Sequence, residues 1–63
     1  MGGVYLWLVR VYEYESWRYG GGEWKARRDL DKTFKNKVDA MQYVLRIRQH
    51  ENFDAKLVKW YGN

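Results

Sequence analysis

The run from Val4 to Tyr14 constrains this chain more than any other feature. It reads Val-Tyr-Leu-Trp-Leu-Val-Arg-Val-Tyr-Glu-Tyr, dense in β-formers and free of glycine and proline. Strand alternation divides it into Tyr5, Trp7, Val9 and Val11 on one face and Val4, Leu6, Leu8, Arg10, Tyr12 and Tyr14 on the other. Both faces are apolar near the start. That is the pattern of a central strand, covered on one side by a helix and on the other by something else. The strand is expected to run toward Arg18, before Gly20-Gly21-Gly22 makes a turn or loose hairpin tip.

Segments downstream supply what the strand packs against. Glu23 to Leu30 predicts a second strand, with Trp24, Ala26 and Leu30 on one face and Glu23, Lys25, Arg27 and Asp29 on the polar one. Asp31-Lys32 reads as a tight connection, and Thr33-Phe34 leads into a helix over 36–50. Asn36 is a good N-cap, and Asp39 places a carboxylate where the helix dipole favours it. Ala40, Met41, Val44, Leu45 and Ile47 form a broad apolar stripe, while Asn52 is expected to end the helix in the left-handed conformation. Phe53 to Tyr61 predicts a third strand, with Ala55 and Leu57 on one face and Lys56, Val58 and Trp60 on the other. The expected fold is α+β, in the order β-β-α-β: a three-stranded antiparallel sheet with one helix packed on one face. Residues 1–63 form a single small domain, since a chain of 63 residues buries only about 60% of its unfolded surface.

Several chemistries lack their residues. The chain has no cysteine, hence no disulfide framework, zinc-thiolate cluster or thiol nucleophile. His50 is the one histidine and reads as a solvated helix-end residue; Ser16 and Thr33 have no orienting partner predictable from sequence. Glu13 and Glu15 share a strand face, more in keeping with a charged strand end than with a paired-carboxylate site. Gly20-Gly21-Gly22 lacks the strand-to-helix setting and Lys-Ser/Thr of a phosphate loop. The expectation is a chain with no catalytic, cofactor or metal site and no small-molecule substrate. The uncharged run Met1 to Val9 is too short to span a bilayer and lacks a signal-peptide pattern, so a cytoplasmic location without membrane partners is expected.

The stretch 22–58 resembles a family of short uncharacterised bacterial proteins. Their pattern is an aromatic strand pair, a helix start Thr-Phe-x-Thr-Lys-x-x-Ala-x-x-Tyr-Ala, and a short apolar strand. The matching residues are Trp24-Lys25-Ala26-Arg27, the run Thr33-Phe34-Lys35-Asn36-Lys37-Val38-Asp39-Ala40-Met41-Gln42-Tyr43-Val44, and Ala55-Lys56-Leu57-Val58. That resemblance implies the fold alone. The segment 23–48 is also similar to the arm-site-binding domain of phage tyrosine recombinases, which implies a sheet face that reads DNA. The chain departs from that module in its long first strand and in the added strand over 53–61.

What the composition favours is binding. Four tryptophans, six tyrosines and two phenylalanines stand against five leucines and one isoleucine, more rings than so short a chain easily hides. Residues 1–31 carry no net charge, so the whole excess of +4 belongs to 32–63. One expectation is a regulator or inhibitor of phage or mobile-element type that binds a host protein through an aromatic sheet face, with homodimerisation as a variant. Its candidate contacts are Leu8, Arg10, Tyr12, Tyr14, Trp17, Tyr19, Lys25, Arg27 and Trp60. The alternative is a nucleic-acid-binding module. It would use Arg10, Tyr12, Tyr14, Lys25 and Arg27 on the sheet, with Lys32, Lys35 and Lys37 holding phosphate at the helix N-terminus. Against it, Glu13, Glu15, Glu23 and Asp29 are expected to interrupt that basic face.

Overall fold

A computed structural model describes the backbone of residues 4–62 and the side chains of residues 6–59. The elements in chain order are β1 (Val4–Ser16), β2 (Gly22–Ala26), a 3-10 turn (Arg28–Leu30), β3 (Lys32–Phe34), α1 (Lys37–Arg48) and β4 (Phe53–Gly62). All strand pairs are antiparallel, in an α+β arrangement with α1 packed on one face of the sheet.

β1 is the central strand, as its two apolar faces predict. One edge pairs with β4 from Val4↔Gly62 to Glu13↔Phe53. The other edge pairs with β2 from Tyr12↔Ala26 to Ser16↔Gly22, and with β3 from Trp7↔Phe34 to Val9↔Lys32. Residues such as Tyr12 and Leu8 thus have a β4 partner on one side and a β2 or β3 partner on the other. β2 and β3 therefore lie end to end along a single edge, giving four strands in three columns.

The second strand expected over 23–30 breaks after Ala26, and the break is repaired by a side chain. Arg27 N–H donates the last ladder bond to the Val11 carbonyl at 2.8 Å. The 3-10 turn then lifts the backbone away, and Asp31 Oδ1 accepts from Val11 N–H at 2.8 Å. A carboxylate thereby stands in for the missing strand. The turn also carries Leu30 off the face it was expected to share with Trp24 and Ala26, and packs it against the core.

α1 begins at Asn36, whose backbone is extended and whose carbonyl accepts from Ala40 N–H at 3.2 Å. The Asn36 side chain caps no helix N–H; it donates to Asp39 Oδ2 at 3.3 Å instead. The buried stripe is narrower than the sequence suggests. Ala40, Val44 and Ile47 are buried, whereas Met41 and Leu45 remain 41% and 58% exposed, because one helix touches a narrow sheet along one row only. Asn52 does not take the left-handed conformation, since no described residue other than Gly20 and Gly21 has positive φ. A turn does that work, closed by Phe53 N–H donating to the His50 carbonyl at 3.1 Å.

The core is small: Val9, Val11, Ala40, Val44, Ile47 and Ala55. Trp7, Leu30, Phe34, Tyr43, Phe53 and Leu57 ring it, each partly buried. Tyr43 ties the helix to the turn by donating its hydroxyl to the Leu30 carbonyl at 2.5 Å. Since Val11 N–H sits in this core, removing its acceptor leaves a buried donor unpaired. Asp31→Ala is expected to lower unfolding free energy by about 1–3 kcal/mol, while Asp31→Asn, which keeps an acceptor oxygen, costs clearly less. Urea denaturation of the two variants checks this; equal losses would show that the Val11–Asp31 bond does not hold the gap.

Candidate functional site

Strand alternation decides what each face carries. The odd-numbered residues of β1 point to α1; the even-numbered ones point to the face that no helix covers. Across the register, that open face takes Leu6, Leu8, Arg10, Tyr12 and Tyr14 from β1, and Trp24 and Ala26 from β2. Asp54, Lys56 and Val58 join from β4. At its centre lies a cavity of about 320 Å³ lined by Tyr12, Trp24, Asp54 and Lys56. Each of the three columns of the sheet contributes to it.

Rings and cations on this face are held in contact. Tyr14 and Trp24, cross-strand neighbours, meet edge to face at 5.2 Å between centroids and 61° between planes, leaving Trp24 52% exposed. Lys56 Nζ stands 5.7 Å from the Tyr12 ring centroid. Arg10 faces Lys56 directly across the β1–β4 ladder, and its Nε is buried without a hydrogen-bond partner among the described residues. Two like charges side by side and an unpaired guanidinium nitrogen are both costs to the isolated chain.

Asp54 is the one carboxylate at the cavity. Its Oδ1 accepts from Ala55 N–H at 2.8 Å and from Arg48 Nε at 2.9 Å, while Arg48 NH2 donates to the Ala55 carbonyl at 3.0 Å. The Ala55 amide first, and Arg48 after it, hold the Asp54 carboxyl below the ordinary aspartate range. This clasp wraps the free edge of β4, so the Ala55 backbone is occupied before another strand can pair with it.

The remaining carboxylates of the sheet lie on the other side. Arg27 NH1 meets Glu13 at 2.6 Å, and Arg27 grips Asp29 through Nε at 3.0 Å and NH2 at 2.8 Å. Lys25 pairs with Glu15 at 2.6 Å and lies 3.9 Å from Glu23. The hydrogen bond that Lys25 donates to Glu15 keeps Lys25 protonated above its usual range, and the bonds of Arg27 to Asp29 first, then to Glu13, do the same for Arg27. Lys25 and Arg27 therefore belong to the helix side of the sheet, beyond the end of α1, and not to the aromatic face where the sequence reading placed them. The same register removes Glu13, Glu15 and Glu23 from that face, and Asp29 is held by Arg27.

The other candidates separate as well. Leu8, Arg10, Tyr12 and Tyr14 come together on the open face. Trp17 and Tyr19 sit at the hairpin tip, 52% and 94% exposed, and the Trp60 side chain lies outside the described residues. Lys32 and Lys37 are exposed, as is Lys35. Their ammonium groups stand over rings on the helix side, Lys32 at 5.0 Å from Tyr43 and Lys37 at 5.4 Å from Trp7. Sequence reading passed over Trp24, Asp54 and Lys56 as site residues. The β1–β2 register, which sets Trp24 opposite Tyr14, is what brings Trp24 to this face.

Among the described residues no helix is long and apolar enough to cross a membrane, and no group of three or more His, Cys, Asp or Glu is placed to hold a metal. No family model matches the chain, no curated protein matches it, and no solved structure matches it.

Asp54 and Asp29 both have lowered folded pKa values, Asp29 through its bond to Arg27. The stability they contribute is therefore complete above the ordinary aspartate value of 3.8 and is lost as pH falls through their lowered values. Both groups are solvated, so the effect is small and shrinks in salt. Thermal midpoints between about pH 5 and 2 should fall with acid, slightly less steeply in Arg48→Gln, which leaves the Ala55 bond in place; an identical acid slope in that variant would show that Arg48 contributes nothing to the loss.

Proposed function

We propose that this chain is a non-catalytic binding module whose open sheet face holds single-stranded nucleic acid. One observation supports the reading above the others: the sheet sorts its charge. Arg10 and Lys56 lie among Tyr12, Tyr14 and Trp24, and every sheet carboxylate but Asp54 is turned to the opposite side, against Lys25 and Arg27. An aromatic and cationic face of this kind gives bases a surface to stack on and gives phosphates two cations. Bases in a duplex are stacked on each other and hide their ring faces, so the rings favour an unpaired strand.

A second reading has its own observation. At the other end of the same face Leu6 and Leu8 are half-buried and Val58 is 37% exposed, an apolar patch suited to a protein surface. There the chain would work as a phage-type regulator or inhibitor of a host protein, or would pair with a second copy of itself.

Salt separates the two. Affinity for a labelled mixed-sequence single strand should fall steeply between about 50 and 500 mM salt, and Arg10→Gln or Lys56→Gln should each reduce the salt slope by about 1. Tyr12→Ala or Trp24→Ala should cost about 1–3 kcal/mol of binding. Charge reversal at Lys32, Lys35 and Lys37 should change little, because two of the three stand over helix-side rings. A salt-insensitive dimer that ignores the oligonucleotide and dissolves on Leu8→Asp would transfer the function to a protein partner.

A further inference from the structure

Within the single-strand reading, on which this inference rests, one feature is out of place: a carboxylate on a face that otherwise suits phosphate. Asp54 lines the cavity with Tyr12, Trp24 and Lys56. Its Oδ1 is committed to Ala55 N–H and Arg48 Nε, whereas its Oδ2 takes part in no hydrogen bond among the described residues. An ionised carboxylate only accepts, so the free oxygen selects for a donor and rejects another acceptor. The amide of Ala55 and the Arg48 guanidinium fix the carboxylate from behind, so its direction is set before anything binds. We infer that this cavity is a base-selective subsite, in which a base with an exocyclic amino group donates to Asp54 Oδ2 beside the Tyr12 and Trp24 rings.

Cytosine meets this requirement through its N4 amino group, whereas thymine carries the O4 acceptor at the same position and would set oxygen against oxygen. The two are pyrimidines of similar size, so stacking on Tyr12 and Trp24 distinguishes them weakly and the hydrogen bond strongly. Lys56 completes the subsite as a cation beside the Tyr12 ring, placed to meet the backbone phosphate of the bound nucleotide.

Fluorescence anisotropy with labelled deoxycytidine and deoxythymidine dodecamers at low salt tests this directly. The deoxycytidine strand is expected to bind about tenfold tighter. Oligonucleotides of N4,N4-dimethyldeoxycytidine, which keep the ring but have no N–H to donate, should lose that advantage on the unaltered protein. Asp54→Asn keeps Oδ1 for Ala55 and Arg48 and turns the free oxygen into a donor, so the preference should collapse or invert toward deoxythymidine. Equal binding of the deoxycytidine and deoxythymidine strands would overturn the subsite and leave the stacking face standing. Binding of neither at low salt would overturn the single-strand reading itself.

Discussion

The structure depends on a mismatch of lengths. β1 has 13 residues and at roughly 3.3 Å each extends about 43 Å. α1 has 12 residues and at 1.5 Å each reaches only about 18 Å. One helix can therefore dry less than half of one face of the central strand and none of the other. The consequences follow position by position. Where α1 covers β1, the odd residues are Val9 and Val11, fully buried against Ala40, Val44 and Ile47. Where α1 has ended, the odd residues turn charged, and Glu13 and Glu15 are met by Arg27 and Lys25. Solvated pairs of this sort contribute little to stability. Their larger effect is on direction, since they hold four carboxylates away from the aromatic face.

Two aspartates solve the problem of unfilled strand edges. In an antiparallel ladder a residue turns both its N–H and its C=O to the same side. Val11 and Ala55 are a cross-strand pair whose backbone groups point outward, one toward the gap between β2 and β3 and the other toward the free edge of β4. Asp31 fills the first opening by accepting from Val11 N–H, and Asp54 with Arg48 fills the second around Ala55. Both repairs flank the smallest and most buried stretch of the sheet. That placement is physically sensible, because an unpaired backbone group costs most where water is absent.

The fold was legible in the sequence wherever one strong period dominated. β1, the helix and the last strand follow from β-former density, the apolar rows and the glycine triplet. The break in the second strand was not legible. Glu23 to Leu30 alternates well enough to read as one strand, and only the long-range bond that Val11 N–H donates to Asp31, 20 residues apart, shows why the backbone departs. The helix stripe was over-read for a related reason: Met41 and Leu45 are apolar at good spacing, but the sheet is too narrow to reach them. For the candidate site, alternation correctly grouped Leu8, Arg10, Tyr12 and Tyr14. It failed across the hairpin, where a face assignment needs the register, and Gly22 opposite Ser16 could not be inferred from glycines alone. Lys25, Arg27 and Glu23 went to the wrong face for that reason, whereas Glu13 and Glu15 lie on β1 itself and its alternation alone sets them with Val9 and Val11.

The hairpin glycines also bear on how rigid the binding face is. Gly20 and Gly21 have φ of +99° and +77°, a conformation that lets the chain reverse between Trp17 and β2. Gly22 is constrained differently. A Cβ there would run into the Tyr14 ring and would sit 2.6 Å from the Glu15 carbonyl oxygen, so the absence of a side chain leaves the space that Tyr14 occupies. The Tyr14 ring is thus set between the bare Gly22 backbone and the edge of Trp24. A binding face that loses little side-chain freedom when a partner arrives retains more of its contact energy as affinity. Trp24 then offers its exposed surface toward the cavity it shares with Tyr12, Asp54 and Lys56. The open face is therefore already ordered by its own backbone, in the one layer of the molecule that no helix protects.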